Sequence, residues 1–156
     1  MRLTMYTDHA LRVMMYLALK WRTDDKATIE EMAEAYDISR SNLMKIVNEL
    51  SQYGFIETTR GRSGGARLAR APSEISIGAI VRAAEKDFAV VSCHESESPG
   101  DCVIFQACNL KRRLARAVDA FMMELDSMTL DEAISAPSVA ASLLGMPAPV
   151  KVHRKS

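Results

Sequence analysis

Residues 28 to 70 read TIEEMAEAYDISRSNLMKIVNELSQYGFIETTRGRSGGARLAR, and the fold class follows from this stretch. Thr28 with Glu31 three positions on is a capping box, in which hydroxyl and carboxylate each satisfy a backbone N–H that a helix start leaves orphaned. The helix it opens runs to about Tyr36, with Ile29, Met32 and Ala33 facing in. Asp37-Ile38 is a short break. Ser39 then caps a helix from Arg40 to about Tyr53, whose apolar positions Leu43, Ile46, Val47 and Leu50 recur at helical spacing. With that face buried, Arg40, Ser41, Asn42, Lys45 and Asn48 stay outside. Two short helices joined by a tight turn, the second offering bases, hydroxyls and amides, make a helix-turn-helix suited to base edges and phosphates in a major groove.

Gly54 ends the second helix, and Phe55-Ile56-Glu57-Thr58-Thr59-Arg60 reads as a strand. Gly61-Arg62-Ser63-Gly64-Gly65 turns the chain, and Ala66 to Arg70 returns. Glycines at such a tip allow the backbone close to phosphates, and Arg60, Arg62 and Arg67 can enter a narrow minor groove. A helix pair alone, or a basic hairpin alone, is as often a solvated surface. Their succession is a winged helix and points to DNA. The candidate DNA contacts are Thr28, Ser39, Arg40, Ser41, Asn42, Lys45, Arg60, Gly61, Arg62, Ser63, Gly64 and Gly65.

Working outward, Leu3 to Trp21 predicts a helix with Leu11, Met14, Met15, Ala18 and Leu19 inward and Asp8 in its first turn, where the helix dipole favours an acid. Asp24-Asp25-Lys26 is a polar turn. Ala71-Pro72 closes the wing, and Ser76 begins a helix through Ile77, Ile80, Val81 and Ala84. From about Asn109 a long helix carries Leu110, Leu114, Val118, Phe121, Met122, Leu125 and Met128 in steps of three and four, a coiled-coil-like seam that can pack within one domain but, beyond a compact winged helix, more often makes a dimer interface. Thr129 to Glu132 is a further capping box, predicting a short helix to about Ile134. The expected organisation is a mainly α fold with a small β wing. It has a DNA-binding domain over 1–72, a cysteine loop and dimerisation helices over 73–135, and a disordered tail over 136–156.

The 156 residues carry 48% hydrophobic side chains and no formal net charge. That charge is unevenly spread. From Ser39 to Arg70 six bases stand against two acids, a net of +4, and from Ser73 to Leu110 two bases stand against six acids, a net of −4. Binding to nucleic acid follows the local field, so global neutrality does not exclude it. No run of eighteen apolar residues argues for a membrane span, and the polar start MRLTMYTD does not read as a signal peptide. The expectation is a cytoplasmic protein whose thiols stay reduced.

All three cysteines lie between 93 and 108, in CHESESPGDCVIFQAC. Three thiols are too few for a disulfide framework. Their spacing suits thiolate ligands around a metal or an iron–sulfur cluster, with one ligand from elsewhere. The plainer alternative is a loop with three unrelated cysteines, one of them buried as a small hydrophobe.

The segments MRLT-x-YTDHALR, SRSNLMKIVNEL and RGRSGGARLA resemble the Rrf2 family of bacterial winged-helix regulators. Within it, VVSC, CVIFQACNLKRRLARAV and FMMELDSMTLDE look most like its nitric-oxide-sensing repressors. The resemblance covers about residues 1 to 135. It implies a homodimer crossed by the long helices and a repressor of a double-stranded DNA operator. It also implies an iron–sulfur cluster, 4Fe-4S with 2Fe-2S as the alternative, held by Cys93, Cys102 and Cys108. By the same resemblance Asp8 from the other subunit is the fourth ligand, although dipole stabilisation alone also explains an acid there. Eight residues separate Cys93 from Cys102, more than such repressors usually have, and this brings in His94, Glu95, Glu97 and Asp101 as rival ligands. A longer gap also occurs in iron-responsive members, which keeps iron sensing open beside nitric oxide and general redox sensing. A cluster-free switch in which Cys93 and Cys102 form a disulfide is a further alternative. A structural zinc site is chemically possible. An enzyme needs a base near a reactive thiol, and the adjacent His94 is poorly placed for that, so no enzyme is expected.

Overall fold

In the computed structural model, residues 2–61, 64–94 and 102–146 are described. The elements are α1 (Met5–Trp21), α2 (Ile29–Tyr36), α3 (Arg40–Gln52), β1 (Ile56–Thr59), β2 (Gly65–Leu68), α4 (Ile77–Ala84), α5 (Asn109–Ser127) and α6 (Pro137–Leu143). Short 3-10 turns occupy Pro72–Glu74, Ser92–His94 and Phe105–Ala107. The mainly helical class with a small wing is the one the sequence predicts. No helix among the described residues is long and apolar enough to cross a membrane.

α1 is the central post. Ala10, Val13, Met14, Leu17 and Ala18 are buried along it, and α3, α4 and β2 all pack on it. Its start is capped by Thr4, whose hydroxyl accepts from the Thr7 N–H at 3.3 Å. Leu43, Ile46 and Leu50 of α3, Met32 of α2, and Ile75, Ile80 and Val81 at α4 complete one core. Both predicted capping residues of the helix pair hold: Thr28 and Glu31 bond reciprocally at 3.1 and 2.6 Å, and Ser39 accepts from the Asn42 N–H. Asp37 turns the chain between α2 and α3 in the left-handed region, at φ 53°, where a short polar side chain is tolerated better than most.

The wing is an antiparallel pair in which Ile56 faces Leu68 and Thr59 faces Gly65. A bridge between Ala27 and Ala66 fastens it to the chain just before α2. α4 and α5 approach closely at Gly78, where any Cβ would run into Asp126, and Arg82 grips that carboxylate with two bonds of 2.5 Å.

Three expectations need correction. Residues 129–134 form one turn rather than a helix: the Thr129–Glu132 box is present, with Glu132 accepting at 2.8 Å, but the turn ends with Ala133 N–H on Thr129 O and Ile134 N–H on Asp131 O. The turn is anchored by tertiary contacts: Leu130 is wholly buried, and its N–H, a donor that any helix start leaves free, bonds Ile75 O at 2.8 Å. Secondly, the region from 136 was expected to be a disordered tail, yet Pro137–Leu143 is helical, with Ala141 buried and Leu144 and Met146 against the core. The tail beyond 146 lies outside the described residues. Thirdly, the strands are Ile56–Thr59 and Gly65–Leu68 rather than Phe55–Arg60 and Ala66–Arg70, because beyond Ile56 and Leu68 the pairing thins to a single 2.9 Å bond from Ala69 N–H to Phe55 O.

Candidate functional site

Along α3 one face is buried and the other is bare. Leu43, Ile46, Val47 and Leu50 are at most 5% exposed, whereas Arg40, Ser41, Asn42, Lys45 and Asn48 are all exposed. Arg40 makes a 3.4 Å ion pair with Glu30 of α2, both side chains well solvated, a pair weak enough to be exchanged for a phosphate. Met44, 60% exposed, stands in the same row. Sequence reading passed over it as apolar. A step of 100° per residue places it with Ser41, Lys45 and Asn48, which is the signal that finds it.

Beside this row the N-terminus of α2 and the wing enclose a cleft of about 290 Å³, lined by Thr28, Glu30, Thr58, Thr59, Gly61 and Gly64. Thr28 in its wall and Ser39 at the start of α3 are helix caps, their hydroxyls engaged with backbone N–H groups. Gly61 has φ 102°, and a Cβ on Gly64 would stand 2.5 Å from Thr59 O, so the tip requires glycine at both. Lys26 Nζ, unforeseen in the sequence, donates to Thr59 Oγ1 at 3.3 Å at the wing's base. Arg60 is exposed. Arg67 is held across the hairpin by Glu57 at 2.7 Å. Arg62 and Ser63 lie outside the described residues.

The thiols are all free. Cys93 is half-buried in the turn Ser92–His94, Cys102 is exposed, and Cys108 is half-buried at the cap of α5. Among the described residues no three His, Cys, Asp or Glu side chains come together at metal-holding range. Glu95, Glu97 and Asp101 lie outside them. In kind the donors fit an iron site, since three reduced thiols within one loop are the ligands such sites use. Asp8 is partly exposed in α1, and its carboxylate accepts from Arg12 Nε at 2.9 Å. No described contact brings it to the cysteines of its own chain.

The first turn of α1 is tied in two directions. Glu85, after α4, accepts from Thr4 N–H at 2.9 Å, Thr4 Oγ1 at 3.1 Å and Thr7 Oγ1 at 2.7 Å. Tyr6 donates to Glu49 of α3, and burial with the neighbouring carboxylate pushes its phenol well above the ordinary range.

A family model described as an iron-dependent transcriptional regulator, Rrf2, matches residues 3–136. The chain belongs to the Rrf2 family. This Rrf2 chain is 41% identical over 146 residues to the HTH-type transcriptional regulator NsrR of Bacillus subtilis, covering 94% of itself and 99% of that protein. NsrR of Bacillus licheniformis is 42% identical over 134 residues, covering 86% and 92%. Among solved structures, the global cysteine regulator CymR of B. subtilis superposes with a TM-score of 0.68 at 28% identity, over 86% of this chain and 97% of that one. The chain is a transcriptional regulator of the Rrf2 family, similar to NsrR as the segments around its cysteines imply.

Proposed function

We propose that this protein is a homodimeric repressor whose hold on a near-palindromic DNA operator is governed by an iron–sulfur cluster at Cys93, Cys102 and Cys108, with nitric oxide as the signal. The observation that carries the reading is the division of labour along the chain. An exposed polar row on α3 and a glycine wing stand at one end, and three free thiols lie in the segment leading into the long helix α5 at the other. Arg40, Ser41, Asn42 and Lys45 enter the major groove, while Arg60, Arg62 and the glycine tip follow the adjacent backbone and minor groove. α5 supports the dimer. Its N-terminal half carries Leu110, 62% exposed, with Leu114 and Val118 half-exposed, a stripe that a second copy covers.

When bound, the cluster supplies iron for nitric oxide to attack. The protein's own contribution is mechanical. Asp8 of the partner subunit, the fourth ligand in this reading, sits in the turn of α1 that Glu85 fastens to the segment leading to Cys93 and Tyr6 fastens to α3. Releasing the ligands uncouples that turn from the other subunit's cysteine loop, and the spacing of the two α3 helices on DNA is lost.

The test is anaerobic purification with iron and sulfide analysis, followed by nitric oxide titration against operator binding. About four irons per chain, with bleaching in step with loss of the DNA complex, is the expected result. A cluster whose loss through iron depletion alone releases DNA transfers the signal to iron. Metal-free protein that binds the operator fully, and loses it reversibly on thiol oxidation, overturns the cluster reading in favour of a disulfide switch.

A further inference from the structure

The two ends of the cysteine segment are tied together by contacts that neither the core nor the DNA face requires. His94 Nε2 lies 3.0 Å from the carbonyl oxygen of Lys111 in the first turn of α5. A carbonyl only accepts, so Nε2 carries the proton. Lys111 Nζ in turn donates to Phe105 O at 2.6 Å and stands 3.3 Å from the centroid of the Phe105 ring. A lysine in a helix's first turn meets the positive end of the dipole. Here the carbonyl and the ring face compensate the amine. His94 follows Cys93 directly, and Phe105 and Lys111 flank Cys108 on either side. Exposure divides the thiols in the same way: Cys93 and Cys108 are half-buried, while Cys102 is exposed beside Val103 and Ile104, which are 101% and 62% exposed.

We propose that His94, Lys111 and Phe105 form a clamp that holds Cys93 and Cys108 as a preset pair of ligands, leaving Cys102 as the ligand that moves in to complete the set. This rests on the reading of the three cysteines as ligands. Closing a loop costs chain entropy, and tying its ends before the metal arrives removes much of that cost from the binding step. His94 is thereby a positioning residue. Its Nε2 is committed to Lys111 rather than to iron.

The test uses the full chain, reduced and metal-free, as wild type, His94→Ala, His94→Gln and Lys111→Met. Alkylation of each thiol by iodoacetamide is followed by peptide mass spectrometry, and Co(II) is titrated through its thiolate charge-transfer band. Cys102 is expected to react fastest in the wild type. His94→Ala should raise the Cys93 rate severalfold and leave Cys102 unchanged. It should also weaken Co(II) by about tenfold, the worth of one net hydrogen bond, at an unaltered saturating absorbance. Lys111→Met should act in the same direction, and His94→Gln, which keeps an N–H donor, should fall between. An unchanged Cys93 rate and Co(II) affinity in both His94→Ala and Lys111→Met overturns the clamp while leaving the ligand reading intact. A weaker charge-transfer or altered ligand-field spectrum at saturation in His94→Ala makes His94 a ligand and also overturns it. A wild type with no charge-transfer band removes the ligand reading, and the clamp's role falls with it.

Discussion

At the scale of single residues, Glu31 links α2 to α1. It closes the capping box with Thr28 and accepts from Lys20 Nζ at 3.1 Å. Burial pushes its carboxyl up, but the bonds from the Thr28 backbone and from Lys20 outweigh this and hold it below its ordinary 4.5. A carboxyl held down in the folded state stabilises the fold above its ordinary value, and that contribution fades as pH falls through the folded value. Glu31→Gln should therefore melt below the parent at pH 7, with the gap closing under pH 4.5. A constant gap from pH 7 to pH 3 would assign the loss to packing instead. The capping box was legible in the sequence because its partners are three residues apart. The Lys20 bond was not, since nothing local joins positions 20 and 31.

At the scale of elements, the wing shows how far local signals carry. Its glycines announced a hairpin, but its length was set where the pairing thins to one bond between Ala69 and Phe55. Gly64→Ala places a Cβ against the carbonyls of Thr59 and Gly61, both backbone atoms that yield only if the tip opens. The core elements are untouched, so thermal stability should fall by no more than about 1–2 kcal/mol, within the usual range for strained glycine sites. Operator affinity should drop by about tenfold or more, comparable to losing a few phosphate contacts. Tight binding by a Gly64→Ala protein would show that the tip does not approach DNA. The turn at 129–134 carries the opposite lesson. Its capping box is a true helix start, yet the chain leaves the helix after one turn, with Leu130 buried and its N–H on Ile75 O.

At the scale of the whole molecule, the proposed dimer rests on α5. Within one chain its C-terminal half packs through Met122, Phe121 and Leu125, while Leu110, Leu114 and Val118 keep much of their surface in water. A charge in that stripe should separate subunits without unfolding either, because the stripe contributes little to the core of its own chain. Leu114→Glu is expected to sediment near the 17.2 kDa chain mass where the parent runs at about twice that, with helical content kept. Operator affinity should fall with it, since two half-sites are then no longer linked. A Leu114→Glu protein that stays dimeric would place the interface elsewhere.

What the sequence determined by itself is whatever depends on neighbours along the chain. This covers the caps at Thr28 and Ser39, the buried face of α3 with its polar back, the glycine tip, and the three thiols set in one loop. These follow from periods of three or four residues and from turn chemistry, which need no tertiary partner. Tertiary structure decided what depends on distant segments: the truncated strands, the turn at Thr129, the helix at Pro137, and the attachment of Glu85 to Thr4 and Thr7. The His94–Lys111 contact belongs with these, because seventeen positions separate its partners and only the fold makes them neighbours. Residue spacing could suggest that the cysteines bind together. Which two are already held and which one is free is a property of how the loop's ends meet.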